Sequence, residues 1–431
     1  MAPSRIHYHV ADSGTTTEAV LLLLSFGTAP TMNCFRSACY AFAFSFVGLF
    51  ATVALGQDDQ QAAETKAPPP AIASIDTAMQ GFVDAGVASG VVTLVARDGE
   101  IVHLSAVGLS DLEAEKKMCP SSLFSIASMT KPITATSAMI LVEEGKLNLD
   151  DKVSKYLPAF ANCKLKDGSK PSREITIRDA ITHTSGLNGK QTFAGSLAEA
   201  VDEIATRPLA FDPRTKWQYS PGLNVVGRVV EIVAKQPLEQ FMKERIFAPL
   251  KMSNTTFTPD ETQRKRIATL YAPGKKENGE DKKSLVPIAN RIGDFADVKG
   301  PNPSGGLVAS ARDMFRFYQM ILNDGKSRKQ QIVSADSIKQ MTSLQSGELK
   351  TGFTPGNGWG LGWCIIREPQ EVTGMLSAGT FGHGGAIWTL GWVDPKTKTI
   401  YVLMIQRDKL PNADGSEIRK AFQQAAVDAL K

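Results

Sequence analysis

Phe124-Ser125-Ile126-Ala127-Ser128-Met129-Thr130-Lys131-Pro132-Ile133-Thr134-Ala135 is the stretch on which the reading of this chain turns. Ser128 and Lys131 are three apart, so on a helix their side chains lie on one face. A serine hydroxyl is inert at neutral pH until a base takes its proton, and a lysine held neutral by desolvation or by neighbouring positive charge is such a base. Pro132 lacks a backbone N–H and is tolerated only in a first helical turn, which puts Ser128 at or just before the helix N-terminus. There the helix dipole favours negative charge developing on oxygen. S-x-x-K alone reads equally well as a capping serine beside a solvated lysine. Its neighbours argue against that. Leu123 to Ala127 is a mostly apolar lead-in, and Ile133 to Val142 is apolar nearly all round, with Gly145 placed to stop the helix. A lysine at the mouth of a buried helix is costly without a use.

The chain has 431 residues, 42% hydrophobic and 21% charged, enough for one large domain or a domain with a second lobe. The net charge is +4, and the densest charged run, Lys275 to Lys283, mixes both signs, which argues against a nucleic-acid partner. Arg36 precedes an apolar run from Ala41 to Leu55 that ends in Ala54-Leu55-Gly56, a pattern of cleaved export signals. Met32 sits where such a signal starts, so the expected initiator is Met32 and the expected destination is the periplasm or the exterior. An uncleaved anchor, which would tether the protein to the membrane, is the alternative. The domain reading is therefore residues 1–56 as N-terminal extension and signal, 57–72 as a polar, Pro-rich disordered linker, and 73–431 as the folded domain.

Cys34 and Cys39 fall in the targeting segment, leaving Cys119, Cys163 and Cys364, which form neither a disulfide framework nor a metal spacing. His103, His183 and His383 include no H-x-x-x-H pair, which argues against a catalytic zinc site, and chemistry on an activated serine needs neither a metal nor an organic cofactor. Val91 to Ala96 and Ile101 to Val107 read as a hairpin through Asp98-Gly99. Helical patterns follow over Gly222–Ala234, Leu238–Phe247 and Ser310–Leu322, the last with a Ser310/Asp313 capping box and a Gly325 stop. Strand-like runs return at Leu361–Ile366, Gly385–Val393 and Thr399–Ile405, the last two joined by an Asp394-Pro395 turn, before a final helix over Ser416–Leu430. The expected class is α+β: an antiparallel sheet built from both chain ends, flanked by helices, with a mainly helical region inserted.

Six words occur in one order: FSIASMTKPITA around Ser128, EEGKLNLDDKVSKYLP from Glu143, THTSGL at Thr182 to Leu187, YSPGLNVVG from Tyr219, GGLVASARDMFRFYQMIL from Gly305, and GHGG at Gly382 to Gly385. With them, from about Ala73 to Leu430, the chain resembles the serine β-lactamase and penicillin-binding-protein superfamily, in the branch of class C β-lactamases, D-alanyl-D-alanine carboxypeptidases and family VIII esterases. The resemblance implies a β-lactamase/transpeptidase-like fold. It makes Ser128 the acylated nucleophile, Lys131 its base, and Tyr219 a second base that moves protons to the leaving group. Two lysine-like cations beside Tyr219 would pull its proton off far below the reference pKa of about 10. By the same matching His383-Gly384-Gly385 stands for the family's K-T-G strand, with His383 functional and His183 a packing residue. Gly384 and Gly385 would let substrate approach closely, and the backbone N–H groups of Ser128 and Ala386 would form the oxyanion hole.

Two departures bear on substrate. Tyr219-Ser220-Pro221 replaces Y-x-N, with Asn224 nearby but out of register, and His383 replaces a lysine, weakening the attraction for a substrate carboxylate. The expected enzyme is therefore a serine hydrolase working through an acyl-enzyme on a small ester or amide or a cell-wall peptide: an esterase, a D-aminopeptidase or carboxypeptidase-like enzyme, or a weak β-lactamase. The alternative is a non-catalytic peptidoglycan- or partner-binding homologue with a vestigial site. Trp359, Trp363 and Trp388 are candidates to line the acyl pocket, and the Gly- and Pro-rich segment Tyr271 to Gly305 is expected to edge the cleft.

Overall fold

Asp98 and Gly99 both take left-handed backbone (φ 50° and 85°), the requirement of a two-residue hairpin turn, and they join β1 (Gly90–Arg97) to β2 (Glu100–Asp111). The computed structural model describes residues 72–191, 195–274, 285–289, 299–328, 330–351, 354–409 and 415–431. The expected signal, the linker up to residue 71, the charged run 275–283 and much of the segment expected to edge the cleft lie outside the described residues. Among the described residues the main sheet adds β3 (Lys116–Lys117), β4 (Asn357–Trp359), β5 (Cys364–Ile366), β6 (Phe381–Gly384), β7 (Leu390–Asp394) and β8 (Thr399–Met404). Its order is β3-β2-β1-β8-β7-β6-β5-β4, antiparallel throughout, with β1 from one end of the chain paired to β8 from the other through Val92 opposite Met404.

Both faces of the central strands are covered, and alternation sorts their side chains. Val92, Leu94 and Ala96 of β1 and Ile400, Val402 and Met404 of β8 enter the larger core with the helical region. Val91, Val95, Tyr401 and Leu403 point the other way, into a smaller core under α1 (Ala73–Asp84) and the final helix, here α5 (Glu417–Ala429). Within the inserted region, α2 (Thr130–Glu143) is buried at every position from Thr130 to Leu141 and packs on α3 (Gly222–Ala234). The fourth long helix, α4 (Ala311–Leu322), lies against β1 and β8 and is followed by Gly325 at φ 80°.

Local departures from the sequence pattern have local causes. The run expected as one strand over Gly385–Val393 is cut, because Gly385 N–H donates to the Thr389 carbonyl (2.7 Å) and Trp388 N–H to the Gly385 carbonyl (2.9 Å), closing a turn between β6 and β7. Leu361–Ile366 is strand only from Cys364, since Gly362 (φ 76°) turns the chain back from β4, which the pattern missed. Over Leu238–Phe247 the helix is α-helical to Met242 and widens to a π-turn from Lys243. Ser310 caps α4 through the Asp313 N–H (3.2 Å), but the Asp313 carboxylate turns to Asn254 N–H (2.8 Å), the Thr255 hydroxyl (3.1 Å) and Arg316 (2.9 Å), so half of the box forms.

Candidate active site

Ala127 enters the left-handed region (φ 45°), unusual for a residue with a Cβ, and starts the short 3-10 turn Ala127–Met129 that runs into α2. Ser128 therefore sits in the first turn, as the position of Pro132 required. One helical step on, Lys131 is fully buried, and its Nζ lies 3.1 Å from Ser128 Oγ, 2.8 Å from Gln191 Oε1 and 2.7 Å from the Ser304 carbonyl. Burial pushes the Lys131 pKa well below its ordinary value, and among the described residues no carboxylate pairs with it. A neutral amine has two N–H donors and one lone pair. Gln191 Oε1 and the Ser304 carbonyl can only accept, so in the neutral form they would take both hydrogens and leave the lone pair for the Ser128 hydroxyl.

Two residues that hold this arrangement were not singled out from the sequence. Asn224, judged out of register, is fully buried in the first turn of α3, where its Nδ2 donates to the Gln191 carbonyl (3.0 Å) and its Oδ1 accepts from Ser304 N–H (3.0 Å). It braces both residues that receive the Lys131 hydrogens. The only signal in the sequence is a polar amide in an otherwise apolar helical pattern. Gln191 carried none, being one glutamine in a loop.

Tyr219 lies beside them, with Lys131 Nζ 4.6 Å from the centre of its ring. Its hydroxyl meets His383 Nε2 at 3.4 Å. His383 Nδ1 is 2.6 Å from the Gly384 carbonyl, an acceptor, so Nδ1 carries the proton and Nε2 is the lone-pair nitrogen that faces the phenol. Burial, reinforced by Lys131, lowers the His383 pKa to about 3. The two cations expected beside Tyr219 thus reduce to one depressed amine and a neutral imidazole. His183, fully buried, accepts from Ser220 N–H at Nδ1 (3.1 Å) and packs its ring 4.6 Å from that of Tyr219 and 5.2 Å from that of Trp359.

The turn after β6 carries Ala386, whose amide makes no backbone hydrogen bond among the described residues. That turn is fixed from two sides. Thr389 Oγ1 donates to the Ile126 carbonyl (3.1 Å), and Arg419 of α5 reaches the Gly385 (2.9 Å) and Thr389 (2.7 Å) carbonyls. A Cβ on Gly385 would fall 2.0 Å from Thr389 Oγ1 and 2.8 Å from the Ile126 carbonyl, so the protein's own packing requires glycine there, while one on Gly384 would meet only the end of the Arg419 side chain, at 2.9 Å.

The model of the Beta-lactamase family matches residues 75–426. The chain belongs to that family. It is 32% identical over 346 residues to "Esterase EstB" of Burkholderia gladioli, covering 73% of this chain and 85% of that protein. To "Lovastatin esterase" of Penicillium rubens it is 29% identical over 377 residues, covering 77% and 92%. The solved structure titled "EstCE1, a hydrolase with promiscuous acyltransferase activity" superposes with a TM-score of 0.71 at 24% identity, over 83% of this chain and 98% of that one, and shows the β-lactamase/transpeptidase-like fold.

In this Beta-lactamase-family chain Ser128, Tyr219, His383, Gly384, Gly385 and Ala386, distant in sequence, line one cavity of about 300 Å³. Of the tryptophans expected there, Trp359 lines it; Trp363 is stacked on Phe317 in the core (5.9 Å, 6° between planes), and Trp388 is buried in the smaller core. Trp392 lines the cavity without having been expected to. Of the segment expected at the rim, the described end reaches the site through Ser304.

Proposed function

We propose that the chain is a serine hydrolase that cleaves small esters or amides through an acyl-enzyme on Ser128. The observation that carries this is the fully buried Lys131 amine, whose Nζ lies 3.1 Å from Ser128 Oγ between two groups that can only accept, Gln191 Oε1 (2.8 Å) and the Ser304 carbonyl (2.7 Å). Lys131 takes the hydroxyl proton as Oγ attacks the substrate carbonyl, and the oxygen of the tetrahedral intermediate is held by the Ser128 and Ala386 N–H groups. Tyr219 gives its proton to the departing alcohol or amine and regains one from Lys131, with His383 Nε2 as the acceptor that orients the phenol. Water then attacks the acyl-enzyme with the same groups as base, releasing the acid and restoring Ser128.

Esters and small amides are favoured over β-lactams. His383 is neutral far below pH 7 and offers no cation to a substrate carboxylate, and Pro221 stands where the family's amide side chain would be. Two relatives named as esterases agree with that preference. The test compares turnover of p-nitrophenyl acetate, nitrocefin and a D-alanyl-D-alanine peptide, with Ser128→Ala as control. The ester should be fastest and silent in the variant. Nitrocefin leading by a wide margin would overturn the preference, and no turnover together with no covalent adduct from any acylating probe would overturn the hydrolase reading.

A further inference from the structure

Tyr219, proposed above as the acid for the leaving group, lies among residues 216–220, just ahead of α3, which belong to no helix or strand. No ladder holds it, so its place depends on where its neighbours are tied. Both are tied to His183. Gln218 N–H donates to the His183 carbonyl (3.0 Å), and Ser220 N–H donates to His183 Nδ1 (3.1 Å). The backbone on either side of Tyr219 therefore hangs from one residue, through its main chain on one side and its imidazole on the other. The same imidazole lies against the phenol, with ring centres 4.6 Å apart and planes at 39°.

His183 is itself anchored. It follows the short helix Ile177–Ile181, in which the buried Asp179 carboxylate pairs with Arg173 (2.7 Å) and the Asp179 carbonyl accepts from Thr184 N–H (3.0 Å). Its ring is fully buried and edge-on to those of Trp359 (5.2 Å, 69°) and Trp217 (5.8 Å, 76°). Ser220 supplies the hydrogen-bonding partners of that ring, its N–H donating to Nδ1 and its hydroxyl lying 3.2 Å from the same nitrogen, while Nε2 has none among the described residues. With Nδ1 accepting, the neutral ring carries its proton on Nε2. An imidazole whose proton meets no partner passes it to nothing, so what His183 offers the site is geometry.

Resting on the serine-hydrolase reading above, we infer that His183 is a positioning residue for Tyr219. Its carbonyl and Nδ1 clamp the chain on both sides of the phenol and its ring backs it, which keeps the hydroxyl 3.4 Å from His383 Nε2 and within reach of the leaving group. The consequence is selective. A positioned acid matters most for a leaving group that departs as a strong base and least for one that is stable as an anion. Misplacing such a group by about 1 Å costs on the order of a hundredfold, and here that loss falls on alkyl esters and amides while p-nitrophenyl esters are spared.

The experiment measures kcat/KM of the full protein for ethyl acetate and p-nitrophenyl acetate, which form the same acetyl-enzyme and differ in the leaving group. His183→Phe keeps a ring and removes the acceptor for Ser220 N–H, and it should lower the ethyl-to-p-nitrophenyl ratio by about tenfold to a hundredfold. In a Tyr219→Phe background the same substitution should lower the ratio no further, because its effect runs through the missing hydroxyl. His183→Asn, which sets an amide oxygen near the Nδ1 position and suits the left-handed backbone there (φ 62°), should keep the ratio near that of the wild type. An equal loss on both esters in His183→Phe, or a further fall in the double variant, would overturn the assignment. If His183→Phe does not fold, His183→Asn decides, a ratio near wild type supporting the clamp and a fall of about tenfold or more overturning it. A wild type that cleaves p-nitrophenyl acetate but not ethyl acetate would remove Tyr219 as acid and this role of His183 with it, and one that cleaves neither would overturn the hydrolase reading itself.

Discussion

Thr389 donates its hydroxyl hydrogen to the Ile126 carbonyl at 3.1 Å, tying the turn that carries the Ala386 amide to the backbone two residues ahead of Ser128. The two amides proposed to hold the oxyanion come from segments some 260 positions apart, and this is a direct, fully buried link between those segments. Thr389→Val keeps the shape and removes the bond. Loss of a whole oxyanion donor costs roughly a hundredfold or more in kcat, so displacing one should lower kcat by about tenfold to a hundredfold with KM little changed. Thr389→Ser, which restores the hydroxyl, should recover most of it. Steady-state kinetics on p-nitrophenyl acetate separate the two variants, and equal rates would show that the link does not set the amide.

Asn224 should govern the basicity of Lys131. Its Oδ1 and Nδ2 hold Ser304 and Gln191, the two residues that receive the Lys131 hydrogens. Asn224→Asp brings a carboxylate near the amine, which favours the ammonium form and raises its pKa. The alkaline-rising limb of kcat/KM should move to higher pH, and stability should fall by about 1–3 kcal/mol because the Gln191 carbonyl loses its donor. A pH–rate profile unchanged from wild type would contradict this.

Three buried histidines set the acid stability. His103, His183 and His383 all have pKa values lowered chiefly by burial, His383 to about 3. Below about pH 6.5 the unfolded chain binds protons that the folded one refuses. Stability therefore rises with pH from the folded values up to about 6.5 and is lost as pH falls through that window, by about 1.4 kcal/mol per pH unit for each fully engaged histidine. Urea unfolding at pH 5 and pH 7 measures it, and a flat profile would mean the imidazoles are charged inside.

Much of this was legible in the sequence because the decisive signals were local. Asp98-Gly99 fixed a hairpin by turn chemistry, Pro132 fixed the start of α2, and Gly222 to Ala234 fixed a helix by periodicity. What escaped depended on contacts between distant segments. Gly385 looks like a strand residue until Thr389 folds back over it, Trp363 and Trp392 differ only in which side of the sheet they meet, and Asn224 and Gln191 matter only because α3 brings them to Lys131. Only the order of motifs along the chain links Ser128, Lys131 and Tyr219, since nothing in the spacing from Lys131 to Tyr219 brings them together.

The central claim is that Lys131 is a neutral amine poised on Ser128. The rate of phosphonylation by a fluorophosphonate, read as intact mass across pH 5–10, tests it most directly. The account predicts one adduct on Ser128, a rate that rises with pH through an inflection well below the ordinary lysine value of about 10.4, and a loss of about a hundredfold or more in Lys131→Met. An inflection at or above 10, an adduct on another residue, or a Lys131→Met variant that labels as fast as wild type would contradict it.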